Sequence, residues 1–316
     1  MDWPNHDTAW QEWRGAMEGA RMHHAWLLAG KGGLGKHDFA NAAARELVKE
    51  EGIPQPVKDH PDIHTLTHLP KDDKEERKRE KGEAFETKRN ITVGQIRSMQ
   101  QRLTTRPTLG SRRAIIINPA DDMEKSASNA LLKSLEEPPK GTFFLLVAHR
   151  PSRLLPTIRS RCRTVRFPSL KPAMLEQIIT QNSPNSDNLS VEAAIAASGG
   201  SPGAAIEFLD QELGPIAAIF ERILDSGDND MTERTTLIKA AGQRPSRARI
   251  QAILGLAQTS LASGIENASG TAQATRVEAH QKLVTLTGQA PTHNFDPNLL
   301  LLEVSGLLAS AGMASQ

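Results

Sequence analysis

A chain of 316 residues with 38% hydrophobic and 24% charged side chains has the composition of a soluble globular protein of two or three domains. Its formal net charge of +1 excludes global electrostatic steering toward nucleic acid or membrane, so any basic surface has to be local. The single cysteine, Cys162, excludes a disulfide framework, an aromatic content of 4% argues against stacking platforms for nucleic acid, and no apolar run of about 18 residues offers a spanning helix. The first fifteen residues lack a basic segment followed by an apolar core, so a cytoplasmic location is expected.

In chain order, Trp10, Trp13 and Met17 recur at helical spacing and predict an amphipathic helix over 8–20. The apolar run Ala25–Ala29 stops at glycines and reads as a buried strand, and a helix is expected over 38–50. A second strand is expected over 62–66. The segment 71–89 is dense in both charge signs and cannot bury a core, which makes it a solvated helix or a mobile insertion. Helical spacing returns over 92–104, and Ala114-Ile115-Ile116-Ile117 has the continuous apolar character of a central parallel strand. A helix over 126–137 is stopped by Pro138-Pro139, and strands follow at 142–148 and 165–167. Alternation of strands and helices predicts an α/β domain with an open parallel sheet over 1–168. From Ser169 onward only helical patterns remain. A small helical lid is expected over 169–210 and an all-α C-terminal domain over 211–316, its last helix spanning about 294–308.

The glycine run Gly30-Lys31-Gly32-Gly33-Leu34-Gly35-Lys36 fits the first seven positions of the phosphate-binding loop G-x-x-x-x-G-K-[ST], in the required place between a strand and a helix. Backbone N–H groups and the helix N-terminus would cradle phosphate oxygens, and Lys36 would reach the outer phosphates. A glycine-rich turn with no ligand is the blander alternative. The eighth position carries His37 where a hydroxyl should hold Mg²⁺, and imidazole suits an oxygen-rich magnesium shell poorly. The strand that should end in a metal-handling carboxylate ends in Asn118-Pro119 instead, with Asp121 and Asp122 displaced beyond it, where a misaligned substitute is the alternative. Both metal positions are lost together, so hydrolysis is not expected.

Four stretches carry a family resemblance: HHAWLL leading into GKGGLGK, then NALLKSLEEPP over 129–139, the strand FFLLVAHRP, and Ser160-Arg161-Cys162. Together they make the chain similar to the clamp-loader subunits of bacterial replicative polymerases, in the AAA+ class, over about residues 20–210. The resemblance implies an AAA+ P-loop domain, a helical lid and a C-terminal collar that joins a hetero-pentamer with motor (gamma/tau) and delta subunits, acting indirectly on the sliding clamp. It also implies an accessory role beside a DNA-directed DNA polymerase. Within the family the degenerate loop resembles the branch without ATPase residues. Pro202-Gly203 stands where motor subunits carry a phosphate-sensing arginine, and Ala148-His149 where they carry a polar sensor.

Arg161 is the exception to this decay. In the family the arginine of Ser-Arg-Cys projects into a neighbour's ATP site as an arginine finger, a role that a fixed guanidinium suits. Its alternative is an ordinary surface arginine among Arg159, Arg161 and Arg163. The loop residues Gly30, Gly32, Gly33, Gly35, Lys36 and His37 leave room for ATP or ADP bound without hydrolysis. The four-cysteine zinc module of many members is missing, so no zinc is expected. His60, His64 and His68 on an extended strand would be spread over about 27 Å and could not share an ion. Weak contact with primed DNA is expected through Arg97, Arg102 and Arg106, with Arg112 and Arg113 as further candidates; a solvated helix face is the alternative. Two rival functions stand beside this reading: an ATP-hydrolysing motor subunit with an unorthodox metal site, and a nucleotide-independent DNA-binding module.

Overall fold

The computed structural model describes residue 3 and residues 5–19, 22–83, 85–183, 186, 188–266, 268–290 and 295–314. The chain divides into two compact units, Met1–Ser169 and Leu170–Gln316.

The first unit holds a parallel sheet of β1 (Ala25–Ala29), β2 (Ile63–Leu66), β3 (Arg113–Ile117), β4 (Thr142–Ala148) and β5 (Arg163–Arg166), in the order β2-β3-β4-β1-β5. Each pairing is parallel, with Leu27 opposite Leu146 and Ile116 opposite Leu145. The central strands are apolar on both faces because helices cover both, and the two-residue alternation divides them. Ala25, Leu27, Ile115 and Ile117 face one core with Ile96, Leu131 and Ile158. Trp26, Leu28, Ala114 and Ile116 face the other with Trp13, Phe39 and Leu47. The first core is covered by α4 (Val93–Arg102), α5 (Lys125–Glu136) and the short α6 (Pro156–Arg159); the second by α1 (Asp7–Glu18) and α2 (Lys36–Val48). The edge strand β5 starts two residues before its expected place. Of its four residues only Val165 is buried, so its apolar signal is weak.

The charged insertion is folded locally. Its helix α3 (Asp73–Glu80) is N-capped by the Asp72 carboxylate, which accepts from the N–H groups of Lys74 and Glu75. An antiparallel bridge between Pro70 and Thr87 closes its base, and the buried Glu75 carboxylate accepts from Glu86 N at 2.7 Å. Polar bonds therefore order a segment that has almost no apolar side chains to bury.

The second unit is helical throughout its described residues: α7 (Pro172–Asn182), α8 (Asn188–Ser198), α9 (Pro202–Asp210), α10 (Gly214–Ser226), α11 (Thr232–Ala241), α12 (Arg247–Ser263), α13 (Gly270–Gln289) and α14 (Pro297–Met313). The stretches expected as lid and collar both lie in this unit, and one continuous core runs from Leu175 and Ile179 through Phe220 and Leu254 to Leu301 and Leu308. The expected helix start at Asn294 lies outside the described residues. No helix among the described residues is long and apolar enough to cross a membrane.

Candidate functional site

The glycine loop leaves β1 and enters α2 as expected. Two glycines are required by what surrounds them. A Cβ on Gly30 would stand 2.6 Å from the Phe167 carbonyl oxygen, and Gly35 has φ +71°. Lys36, at the start of α2, is only 2% exposed. Its ammonium is turned back on its own loop, donating to Gly30 O at 2.8 Å and to Lys31 O. Burial pulls its pKa down to about 8, against the opposing pull of the Asp121 carboxylate.

The N-terminal arm lies over the same loop. The Trp3 indole sits against Gly35 so closely that a Cβ there would be 2.2 Å from the ring, and Trp3 Nε1 donates to Asp38 Oδ2 at 3.1 Å. The buried His6 ring stacks on Trp3 and donates through Nε2 to Leu34 O at 2.8 Å. Asn5 Nδ2 donates to Pro168 O at 3.1 Å, which pins the arm beyond β5. None of these residues was a candidate from sequence. Nothing local in Trp3-Pro4-Asn5-His6 points to a loop so much further along the chain.

The metal positions do not fit magnesium. Asn41 Nδ2 donates to His37 Nε2 at 3.1 Å, so that ring lone pair is engaged, and burial lowers the His37 pKa. Asn118 presents an amide, and its Oδ1 is buried without a hydrogen-bond partner. Asp121 is no substitute carboxylate for a metal. On a 3₁₀ turn after β3, its two oxygens accept from His149 N at 2.8 Å and Arg150 N at 3.0 Å. It ties the exits of β3 and β4 together. Asp122 lies within ion-pair distance of His68, Arg150 and Arg153. A neutral amide, an engaged imidazole and two carboxylates already held by cations and N–H groups leave no oxygen set of the kind Mg²⁺ needs.

The three histidines do not act as a set, and only His64 lies within a strand, because β2 is confined to Ile63–Leu66. His60 Nδ1 accepts from Asp62 N, His64 is lowered by burial and by Arg113 and Arg102, and His68 faces Asp122.

Arg161 follows α6 at the end of the first core. Its backbone is held by Ile158 and by Cys162, which packs on that core with its thiol pushed up to about 12 by burial. Its side chain remains 36% exposed, donating from Nη1 to Thr157 O at 2.9 Å and pairing through Nη2 with Glu136 Oε1 at 2.6 Å. Arg97, Arg102 and Arg106 are exposed on and after α4. Arg113 corrects the expectation of a DNA contact: it is buried at 3% exposure, and its guanidinium donates to the carbonyls of Arg102, Thr105 and Arg106. It closes the C-terminal end of α4, where helix carbonyls lack intrahelical partners. The sensor turn at Pro202-Gly203 begins α9, with Ser201 as the N-cap accepting from Ala204 N.

A parallel sheet with a glycine loop between β1 and α2 defines a P-loop-type α/β domain, one whose metal-handling positions carry an amide and an imidazole. The chain belongs to the DNA polymerase III delta subunit family, whose model matches residues 5–171. It is 33% identical over 207 residues to DNA polymerase III subunit delta' of Pseudomonas aeruginosa, covering 61% of this chain and 58% of the relative. Subunit delta' of Bacillus subtilis is 32% identical over 172 residues, 51% of this chain and 47% of the relative. Subunit gamma/tau of Mycobacterium tuberculosis is 29% identical over 220 residues, 63% of this chain and 34% of the relative. The chain thus spans about half the length of the delta' relatives it matches. A solved gamma subunit-related protein of Thermotoga maritima aligns with 98% of this chain and all of its own at 18% identity, with a TM-score of 0.48.

Proposed function

We propose that this chain is the delta prime-type, non-hydrolysing subunit of a clamp loader for DNA polymerase III. It packs beside a motor subunit of the gamma/tau type in a hetero-pentamer that also holds delta, supplies Arg161 to the neighbour's ATP, and supports loading of the sliding clamp onto primed DNA. One observation carries the reading: a phosphate loop whose metal positions hold an engaged imidazole, an amide and a carboxylate tied to backbone N–H groups shares a chain with an arginine held at the surface just beyond the short helix α6. The first disfavours hydrolysis in cis; the second suits stabilisation of phosphoryl charge in trans. The reading carries a cytoplasmic location with it. Exposed Arg97, Arg102 and Arg106 would touch the phosphate backbone of primed DNA, a weak and sequence-independent contact. ATP or ADP would be held without hydrolysis, after Lys36 turns outward and Trp3 leaves Gly35.

The test is ATP turnover. The lone chain with Mg²⁺-ATP is expected to show none, and adding it to motor and delta subunits with primed DNA is expected to raise turnover. Arg161→Ala should leave assembly intact by size-exclusion chromatography and lower that turnover at least tenfold, in line with the size of trans-arginine effects. Steady hydrolysis by the lone chain would overturn the reading in favour of a motor subunit, to which the gamma/tau similarity also points.

A further inference from the structure

Arg161 does not wave free at the surface. It is joined to Glu136, the last residue of α5, by a 2.6 Å ion pair, and to the preceding short helix α6 through Thr157 O at 2.9 Å. Both backbones are fixed. Leu131 and Leu135 anchor α5 in the same core as Ile158 of α6, and Pro138-Pro139 ends the helix just after Glu136. The ion pair therefore spans two rigid elements and defines where the guanidinium sits.

Helix energetics do not account for Glu136. A carboxylate in the last turn faces the negative end of the helix dipole, where a cation is preferred. Nor is the pair a stability device, since both partners are substantially exposed, at 36% and 48%, and such pairs add little to folding. What an exposed pair does well is restrict a long, freely rotating side chain while staying weak enough to open. A guanidinium carries five N–H donors, and the two contacts engage one on Nη1 and one on Nη2. A phosphate oxygen can be met by the other donors while Glu136 still orients the group, or can take over Nη2 as charge develops.

Building on the proposed trans-acting role of Arg161, we propose that Glu136 is a positioning residue for that guanidinium. It orders Arg161 before the neighbouring site closes around it, so part of the orientation needed in the transition state is already present. The glutamate thus acts on the neighbour's reaction through Arg161 and touches no reacting atom.

The experiment uses the complex reconstituted from the full chain with motor and delta subunits, assembly being checked by size-exclusion chromatography for every variant. Glu136→Ala is expected to lower kcat for ATP three- to tenfold with KM changed less than twofold. Glu136→Gln, which keeps an acceptor oxygen at the same reach, is expected to lie between Glu136→Ala and the unaltered chain. The double variant Glu136→Ala with Arg161→Ala should match Arg161→Ala alone, because one residue acts through the other. Normal or raised turnover with Glu136→Ala, while Arg161→Ala is impaired, overturns the positioning role and leaves the finger standing. An equal loss from Glu136→Ala in the Arg161→Ala background overturns it as well. Unchanged turnover with Arg161→Ala removes the finger itself, and with it the basis for Glu136.

Discussion

Lys36 is a motif lysine whose ammonium, buried in this structure, is held by the loop that carries it. The lysine of a phosphate loop is normally compensated by its ligand; here Gly30 O, Lys31 O and the nearby Asp121 charge provide what compensation there is. Burial is the larger effect and lowers the pKa to about 8. Because the folded value lies below the ordinary lysine value of 10.5, the unfolded chain binds more protons between these two limits, and stability attributable to this group rises with pH across that window. Below pH 8 both states are charged and the dependence vanishes. The stability of the chain relative to Lys36→Met, measured by urea denaturation, is therefore expected to improve by about 2 kcal/mol from pH 7.5 to pH 10. A difference that is flat over that range would mean that Lys36 is solvated rather than turned inward.

At the scale of elements, the N-terminal arm and α2 form a closed pair over the loop. Trp3 covers Gly35, bonds Asp38 and stacks on His6, whose pKa is lowered by burial beside Leu34 O. Trp3→Ala removes the cover while leaving the buried His6 contact. Affinity for a fluorescent ATP analogue, read by anisotropy on the lone chain, is expected to rise about tenfold, equivalent to about 1.4 kcal/mol of contact no longer displaced. No gain would mean that Lys36 alone keeps the loop closed. The difference between what was legible and what was not follows the same division. Ala25–Ala29 and Arg113–Ile117 could be read because a strand buried on both faces is written as a continuous apolar run. The loop could be read because its residues are contiguous and stand between a strand and a helix. The sequence leaves the helix of the charged insertion open because Asp72, Glu75 and Glu86 order it through polar bonds that have no hydrophobic period. Arg113 looked like its exposed neighbours, since a strand-leading arginine that caps a helix elsewhere has the same letter as one in solvent. Trp3 and Glu136 meet Gly35, Asp38 and Arg161 from distant points in the sequence, so a local pattern could not pair them.

For the whole molecule, the second unit raises the question of what its last helix is for. In α14, Leu300, Leu301, Val304 and Leu308 are buried in the unit's core, but Leu299 is 67% exposed and Leu302 is 39% exposed. Three residues apart, the two lie on neighbouring turns of one helix face. The buried leucines explain why the helix is stable; they do not explain why two further leucines stand at the surface. The collar that the family resemblance implies would explain them, since one helix can present one face to its own core and another to a neighbouring subunit. Burying each exposed leucine in a subunit interface would contribute about 2 kcal/mol, or roughly 30-fold in affinity. Replacing both by Glu adds the cost of desolvating two carboxylates at the same place. The double variant Leu299→Glu with Leu302→Glu is therefore expected to keep the Tm of the lone chain within about 2 °C, since surface changes outside the core shift stability little. It is also expected to drop out of the complex with motor and delta subunits on size-exclusion chromatography. Full assembly with an unchanged Tm would place the interface on another face, whereas a Tm lowered by many degrees would show these leucines to be part of the fold.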